Sequence, residues 1–180
     1  MLIKAEKSCL LVIDVQAKLA PVMDAPERTI ANIAILMKAA ARLDVPMLVS
    51  EQYPKGIGHT VEELAALAPA GSVMEKIHFS CLGDQGIGQR FGELDREQAV
   101  IAGIEAHVCV LQTAIDLHGG GRHAFVVVDA TASRSPANHV AAMERLRAAG
   151  ISIVTTEMVL FEWLGRSGTP EFKEIAALIK

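Results

Sequence analysis

The feature that most narrows the possible folds is a short apolar run, interrupted by Gly103, that turns into a helical repeat. Ala99-Val-Ile-Ala-Gly-Ile104 is followed by Glu105-Ala-His-Val-Cys-Val-Leu-Gln-Thr-Ala-Ile-Asp-Leu-His118. A strand apolar at nearly every position has both faces covered, as in a parallel sheet between two layers of helices. In the segment that follows, Val108, Leu111 and Ile115 share one helical face. Cys109 falls just past the change of period. A thiol there meets unpaired backbone N–H groups and the positive end of the helix dipole. That setting is expected to lower its pKa from about 8.5 toward neutrality. A buried structural cysteine fits the same pattern, because free cysteine is among the most buried residue types; the stretch alone leaves both readings open.

The same signature recurs along the chain. Ser8 to Ile13 is a continuous apolar run closed by Asp14, with Val15-Gln16 after it. Val45 to Val49 reads as a second strand, running into the Pro/Gly-bearing loop Ser50 to Gly58, in which Gln52 and Tyr53 are either pocket residues or surface-loop residues. Ser72 to Lys76 is a short strand with a lysine at its end; Ala124 to Val128 ends at Asp129, and Ile151 to Thr155 is the last strand. Between them lie helical patterns. Pro26 to Leu43 carries the stripe Ile30, Ile33, Met37 and Ala40, and a helix opened by Ser135-Pro136 carries Val140, Met143 and Leu146. Shorter helices are expected from Thr60 to Leu67, Glu157 to Leu164 and Pro170 to Ile179. Phe161 and Trp163 suit either the core or a subunit contact. Gly86-Ile-Gly88, inside the glycine-rich stretch 83–92, does not complete GxGxxG and is no dinucleotide loop. The alternation predicts an α/β fold: one domain over residues 1–180, a doubly wound parallel sheet with helices on both faces.

Composition excludes several function classes. Net charge is −4 and the basic residues are scattered, which argues against a nucleic-acid partner. No apolar run approaches the ~18 residues of a membrane span, and Cys9 to Ile13 is too short for a secretory core. Cys9, Cys81 and Cys109 form no disulfide framework or zinc spacing, which suits a reducing compartment. A cytoplasmic protein without a metal or other cofactor is expected.

Function is read from what the sheet brings together. In a parallel sheet all carboxyl ends share one edge, where sites form. Asp14, Lys76 and Cys109 all fall there. Taken singly, Asp14 is also a possible helix cap and Lys76 a possible solvated lysine. Together they form a coherent set. A carboxylate takes the thiol proton, an ammonium stabilises the thiolate, and backbone N–H groups at Val108 and Cys109 face an oxyanion.

Leu11-Val-Ile-Asp14-Val-Gln16, Met74-Glu-Lys76 and Gly103-Ile-Glu-Ala-His-Val-Cys109-Val resemble the three signature segments of the isochorismatase-like cysteine hydrolase superfamily. Ser50-Glu-Gln-Tyr-Pro-Lys-Gly-Ile-Gly58, Asp129-Ala-Thr-Ala-Ser-Arg134-Ser and Phe172-Lys-Glu-Ile-Ala-Ala-Leu-Ile-Lys180 resemble its small isochorismatase-domain-containing members. The resemblance implies Asp14 as general base, Lys76 as its assistant and Cys109 as nucleophile through a thioester. It also implies a cis peptide at Ile104–Glu105 and a homo-oligomer. Gln16, Gln52, Tyr53, Phe79 and His107 are expected to line a pocket for a small-molecule substrate. The Asp-x-His pair and further His of the metal-binding nicotinamidases are missing; the corresponding region offers only Glu51 and His59. Hydrolysis of an amide or related C–N bond is the leading reading. A non-catalytic interaction protein that keeps the fold is the alternative, and a redox pair of Cys81 with Cys109 is a third.

Overall fold

The computed structural model describes residues 1–179. Six parallel strands form its sheet: β1 Ser8–Ile13, β2 Met47–Gln52, β3 Val73–Lys76, β4 Gln98–Ile104, β5 His123–Ala132 and β6 Ser152–Val154. Their spatial order is β3-β2-β1-β4-β5-β6. The winding therefore reverses between β1 and β4, the position at which open α/β sheets leave a crevice.

Side-chain alternation explains the two covering layers. Leu10 and Val12 of β1 face one core with Ile33, Leu36, Met37 and Ala40 of α1 (Pro26–Arg42). Cys9, Leu11 and Ile13 face the other. After β2 come the single turns α2 (Pro54–Ile57) and α3 (Glu62–Ala65). The second core receives α4 (Gln85–Glu93), α5 (Leu111–Gly119) and α6 (Pro136–Ala148). On the α1 side, α7 (Thr156–Leu164) contributes Val159, Leu160 and Trp163, and α8 (Pro170–Ala176) contributes Ile175. Strands sandwiched in this way have to be apolar throughout, as the opening run required.

Several local readings change or gain detail, and β5 runs through Asp129 to Ala132 instead of ending at Asp129. The glycine-rich stretch is helical in α4, because Ile87 and Phe91, one turn apart, both bury into the core and outweigh the weak propensity of glycine. Strand β2 extends to Gln52, beyond the apolar run. The buried face of α5 is Leu111, Ala114 and Leu117, while Val108 and Ile115 are only partly buried. A turn of π-helix, Ala106–Val110, precedes it, and its extra residue rotates the phase of everything downstream. Val140 of α6 is exposed, and Ala142, Met143 and Leu146 form the buried face. Trp163 is buried and donates its indole N–H to Ser8 Oγ, whereas Phe161 is exposed beside Phe172.

Gly103 is tied to the reversal point. Its φ is +122°, and a Cβ added there would stand 2.1 Å from the carbonyl oxygen of Ile13. Only glycine lets β4 approach the end of β1 so closely. The next residue of β1's chain, Asp14, is itself left-handed at φ 55°. No helix among the described residues is long and apolar enough to cross a membrane.

Candidate active site

Asp14, Lys76 and Cys109 meet at the carboxyl edge of the sheet. Asp14 leaves β1, and Cys109 lies in the π-turn after β4, so these two flank the winding reversal. Lys76 ends β3, two strands away, and its side chain reaches across β2. Its Nζ stands 2.7 Å from Asp14 Oδ2, with both side chains fully buried. The other carboxylate oxygen, Oδ1, accepts from Ser50 Oγ at 2.6 Å. The ammonium directs hydrogen bonds to Gln52 Oε1 (2.6 Å) and to the carbonyls of His78 and Phe79 (both 3.1 Å). Its three protons are thus occupied. The contact with Oδ2 is one of charge, and that oxygen has no aligned hydrogen bond. Cys109 is buried beside both groups, within reach of their charges and hydrogen bonds.

These surroundings set the protonation. Burial pushes the Asp14 carboxyl above its ordinary value, against the pull of Lys76 and of the Ser50 hydrogen bond. Burial alone would depress the Lys76 ammonium, but the charges around it, Asp14 first, hold it above the usual lysine value. Burial, then the charge of Asp14, push the Cys109 thiol well up, with Lys76 opposing. This corrects the expectation of a lowered thiol pKa: a helix start within a desolvated pocket next to a carboxylate does not yield a resting thiolate. The starting arrangement is a thiol beside a buried Asp14–Lys76 ion pair. Moving the thiol proton to Asp14 conserves the site's net charge, so the step displaces charge without creating any.

The remaining sequence candidates divide. The Ile104–Glu105 peptide is cis. The Val108 N–H donates to the Glu105 carbonyl at 3.0 Å, so it is not free to face an oxyanion in this state. Gln16 is fully buried and spends its amide on the loop: Oε1 accepts from Gln52 N, and Nε2 donates to the carbonyls of Gln52 and Gly58. It is a pin, not a pocket wall. Gln52 holds Lys76 and donates to Ile77 O. Tyr53, 55% exposed, lines a groove of about 320 Å³ with Pro54, Lys55, Lys76, Ile77 and Asp84. Phe79 is also 55% exposed and meets the site through its carbonyl. His107 turns away toward α6, where Ser133 Oγ (2.9 Å) and Asn138 Nδ2 (3.3 Å) hold its ring; two residues along a helical turn reverse direction, so it and Cys109 face opposite ways.

Glu51 is engaged by Thr60 N–H (2.7 Å), Thr60 Oγ1 (2.8 Å) and His59 Nδ1 (2.9 Å). Thr60 thus serves Glu51, and Val61 takes the cap of α3. Among the described residues, no three His, Cys, Asp or Glu side chains converge as a metal cluster. Sequence reasoning missed Ser50, whose signal was a hydroxyl two residues before Gln52. It also missed the side-chain pairing of Glu105 with Arg134, bonded through Arg134 N–H and guanidinium at 3.0–3.2 Å.

The model of the isochorismatase domain matches residues 8–158. The chain belongs to the isochorismatase family. It is 42% identical over 146 residues to isochorismatase domain-containing protein 1 of Danio rerio, covering 81% of this chain and 51% of that protein. The chain thus spans about half the length of that relative. It is 37% identical over 174 residues to isochorismatase domain-containing protein 2 of the same fish, covering 96% of this chain and 86% of the other. Among solved structures, the MAR1 ribonuclease of Caenorhabditis elegans superposes with a TM-score of 0.93 at 36% identity, covering 99% of this chain and 92% of that one. Membership places the chain among isochorismatase-like hydrolases.

Proposed function

We propose that the protein is a cysteine-dependent hydrolase that cleaves an amide or related C–N bond of a small molecule through a thioester on Cys109. The observation that carries this reading is the fully buried Asp14–Lys76 pair with the Cys109 thiol against it. In the first half-reaction the thiol proton passes to Asp14 Oδ2, the oxygen without an aligned hydrogen bond, and the sulfur attacks the substrate carbonyl carbon. Lys76, held near the reacting sulfur, stabilises the thiolate. The Cys109 N–H is the oxyanion donor we retain, since the Val108 N–H is occupied. Protonated Asp14 then gives its proton to the leaving nitrogen, the C–N bond breaks and the amine departs. In the second half-reaction water attacks the thioester and its proton goes to Asp14. The C–S bond breaks, the acid leaves and the proton returns to sulfur. One water is consumed, and the three residues end as they began.

The single domain over 1–180 carries the whole set, and three unpaired thiols suit a reducing cytoplasm. We assign a homo-oligomer on the exposed Met158 and Phe161 of α7, an assignment that sedimentation checks. A ribonuclease reading, which the C. elegans relative's name suggests, has less support: net charge is −4 and the site's cation is neutralised by Asp14. The test is a panel of small carboxamides with wild type beside Cys109→Ala. Amine release confined to wild type, with an acyl adduct on Cys109 by mass spectrometry, is the expected result. Equal background in both proteins favours a non-catalytic binding role. RNA cleavage lost in Cys109→Ala overturns the C–N assignment.

A further inference from the structure

Strand β2 lies between the strand that carries the acid and the strand that carries the amine. Its last residues alternate, so Ser50 and Gln52 share one face. Register sets Ser50 beside Ile13, next to Asp14, and Gln52 beside Lys76. Each takes one member of the pair: Ser50 Oγ donates to Asp14 Oδ1 at 2.6 Å, and Gln52 Oε1 accepts from Lys76 Nζ at 2.6 Å. Gln52 is held in turn, since Gln16 bonds both its backbone N–H and its carbonyl.

We infer that Ser50 and Gln52 are a matched pair of positioning residues that set the basicity of Asp14 in opposite directions, Ser50 by occupying Oδ1 and Gln52 by drawing a Lys76 proton away from Oδ2. The inference rests on the hydrolase reading of the site. Ser50 supplies a donor to the carboxylate, which stabilises its charged form. Gln52 takes a proton that would otherwise turn onto Oδ2, 2.7 Å away, and leaves that oxygen open to the thiol. The other titratable groups facing this pair are Cys109 from the π-turn and Cys81 from the 81–83 turn. Both are thiols; Cys81 also lies within hydrogen-bond reach of Ser50, and Cys109 within reach of Asp14.

The experiment is the pH dependence of Cys109 alkylation by iodoacetamide in the whole protein, resolved from Cys9 and Cys81 by peptide mass spectrometry. Its acid limb reads the availability of Asp14 as base. Ser50→Ala is expected to move that limb up by about one pH unit, the loss of one hydrogen bond to a charged group, and Ser50→Thr to restore it. Gln52→Leu is expected to move it down and to lower the plateau rate about tenfold, because an aligned Lys76 proton makes Asp14 a weaker base. Gln52→Glu, which keeps an acceptor on Lys76, gives no downward shift. Should Ser50→Ala not fold, Ser50→Cys keeps a weaker donor and reads the same upward shift at smaller size. Limbs that stay put, or move the same way in both variants at wild-type unfolding midpoints, overturn the inference and leave the hydrolase reading standing. A wild-type Cys109 alkylated no faster than Cys9 and Cys81 overturns both.

Discussion

Two carboxylate–cation pairs stand at the same edge of the sheet and behave as opposites. Asp14 and Lys76 touch at 2.7 Å with neither side chain exposed; Glu105 and Arg134 touch at 3.1 Å with Arg134 63% exposed. In the first, water is gone, so charge is costly and every neighbouring dipole shifts a proton equilibrium. In the second, solvent screens the cation and the contact amounts to a staple from the end of β4 to the segment after β5. Contact distance is therefore a poor guide to role, and burial of both partners separates the pair we propose as reactive from the surface staple.

The contrast breaks most visibly if Lys76 is removed. Lys76→Met should cost about 3–5 kcal/mol in urea unfolding at pH 7.5, the usual penalty for orphaning a buried charge. The sign with pH follows from Asp14, whose carboxyl is already raised by burial and rises further without its partner. Stability tied to a raised carboxyl is intact below the unfolded value of about 4 and is lost as pH rises through the folded one. The deficit should shrink markedly at pH 4.5, and an equal deficit at both pH values would contradict an uncompensated Asp14. Asp14→Asn combined with Lys76→Met should recover more than half of the lost stability while leaving the protein inactive, as measured by the same unfolding curves and the carboxamide panel. Arg134→Ala should cost only about 1 kcal/mol and leave the Cys109 alkylation profile where it was. A large shift of that profile would erase the distinction between the two pairs.

The smallest effect concerns Glu51, a third carboxylate at this edge. Burial alone would raise it, but the Thr60 N–H, His59 and the Thr60 hydroxyl hold it below the ordinary glutamate value. Its contribution is present above about pH 4.3 and fades as pH falls through the lowered folded value. Amide exchange at Thr60 should lose protection below about pH 4 relative to Leu11 in β1. Unchanged relative protection would mean that the loop is held by other contacts.

The architecture was legible because burial on both faces writes itself directly into composition: Ser8 to Ile13 and Ala99 to Ile104 are apolar for the same reason that they are central strands. The three chemical groups were legible as polar residues at the ends of such runs. What could not be read was orientation. The π-turn before α5 shifts the helical phase by one residue, so Val108 and Ile115 lost the buried face that their spacing indicated. His107 and Gln16, adjacent in sequence to the site, face elsewhere or are spent on the loop. Ser50 belongs to the site because β2 runs three residues past its apolar stretch. Local periodicity reports which residues avoid water. The direction of a polar side chain, and hence the protonation of Cys109, depends on which neighbours claim its hydrogen bonds and exclude solvent, and those neighbours come from strands far apart along the chain.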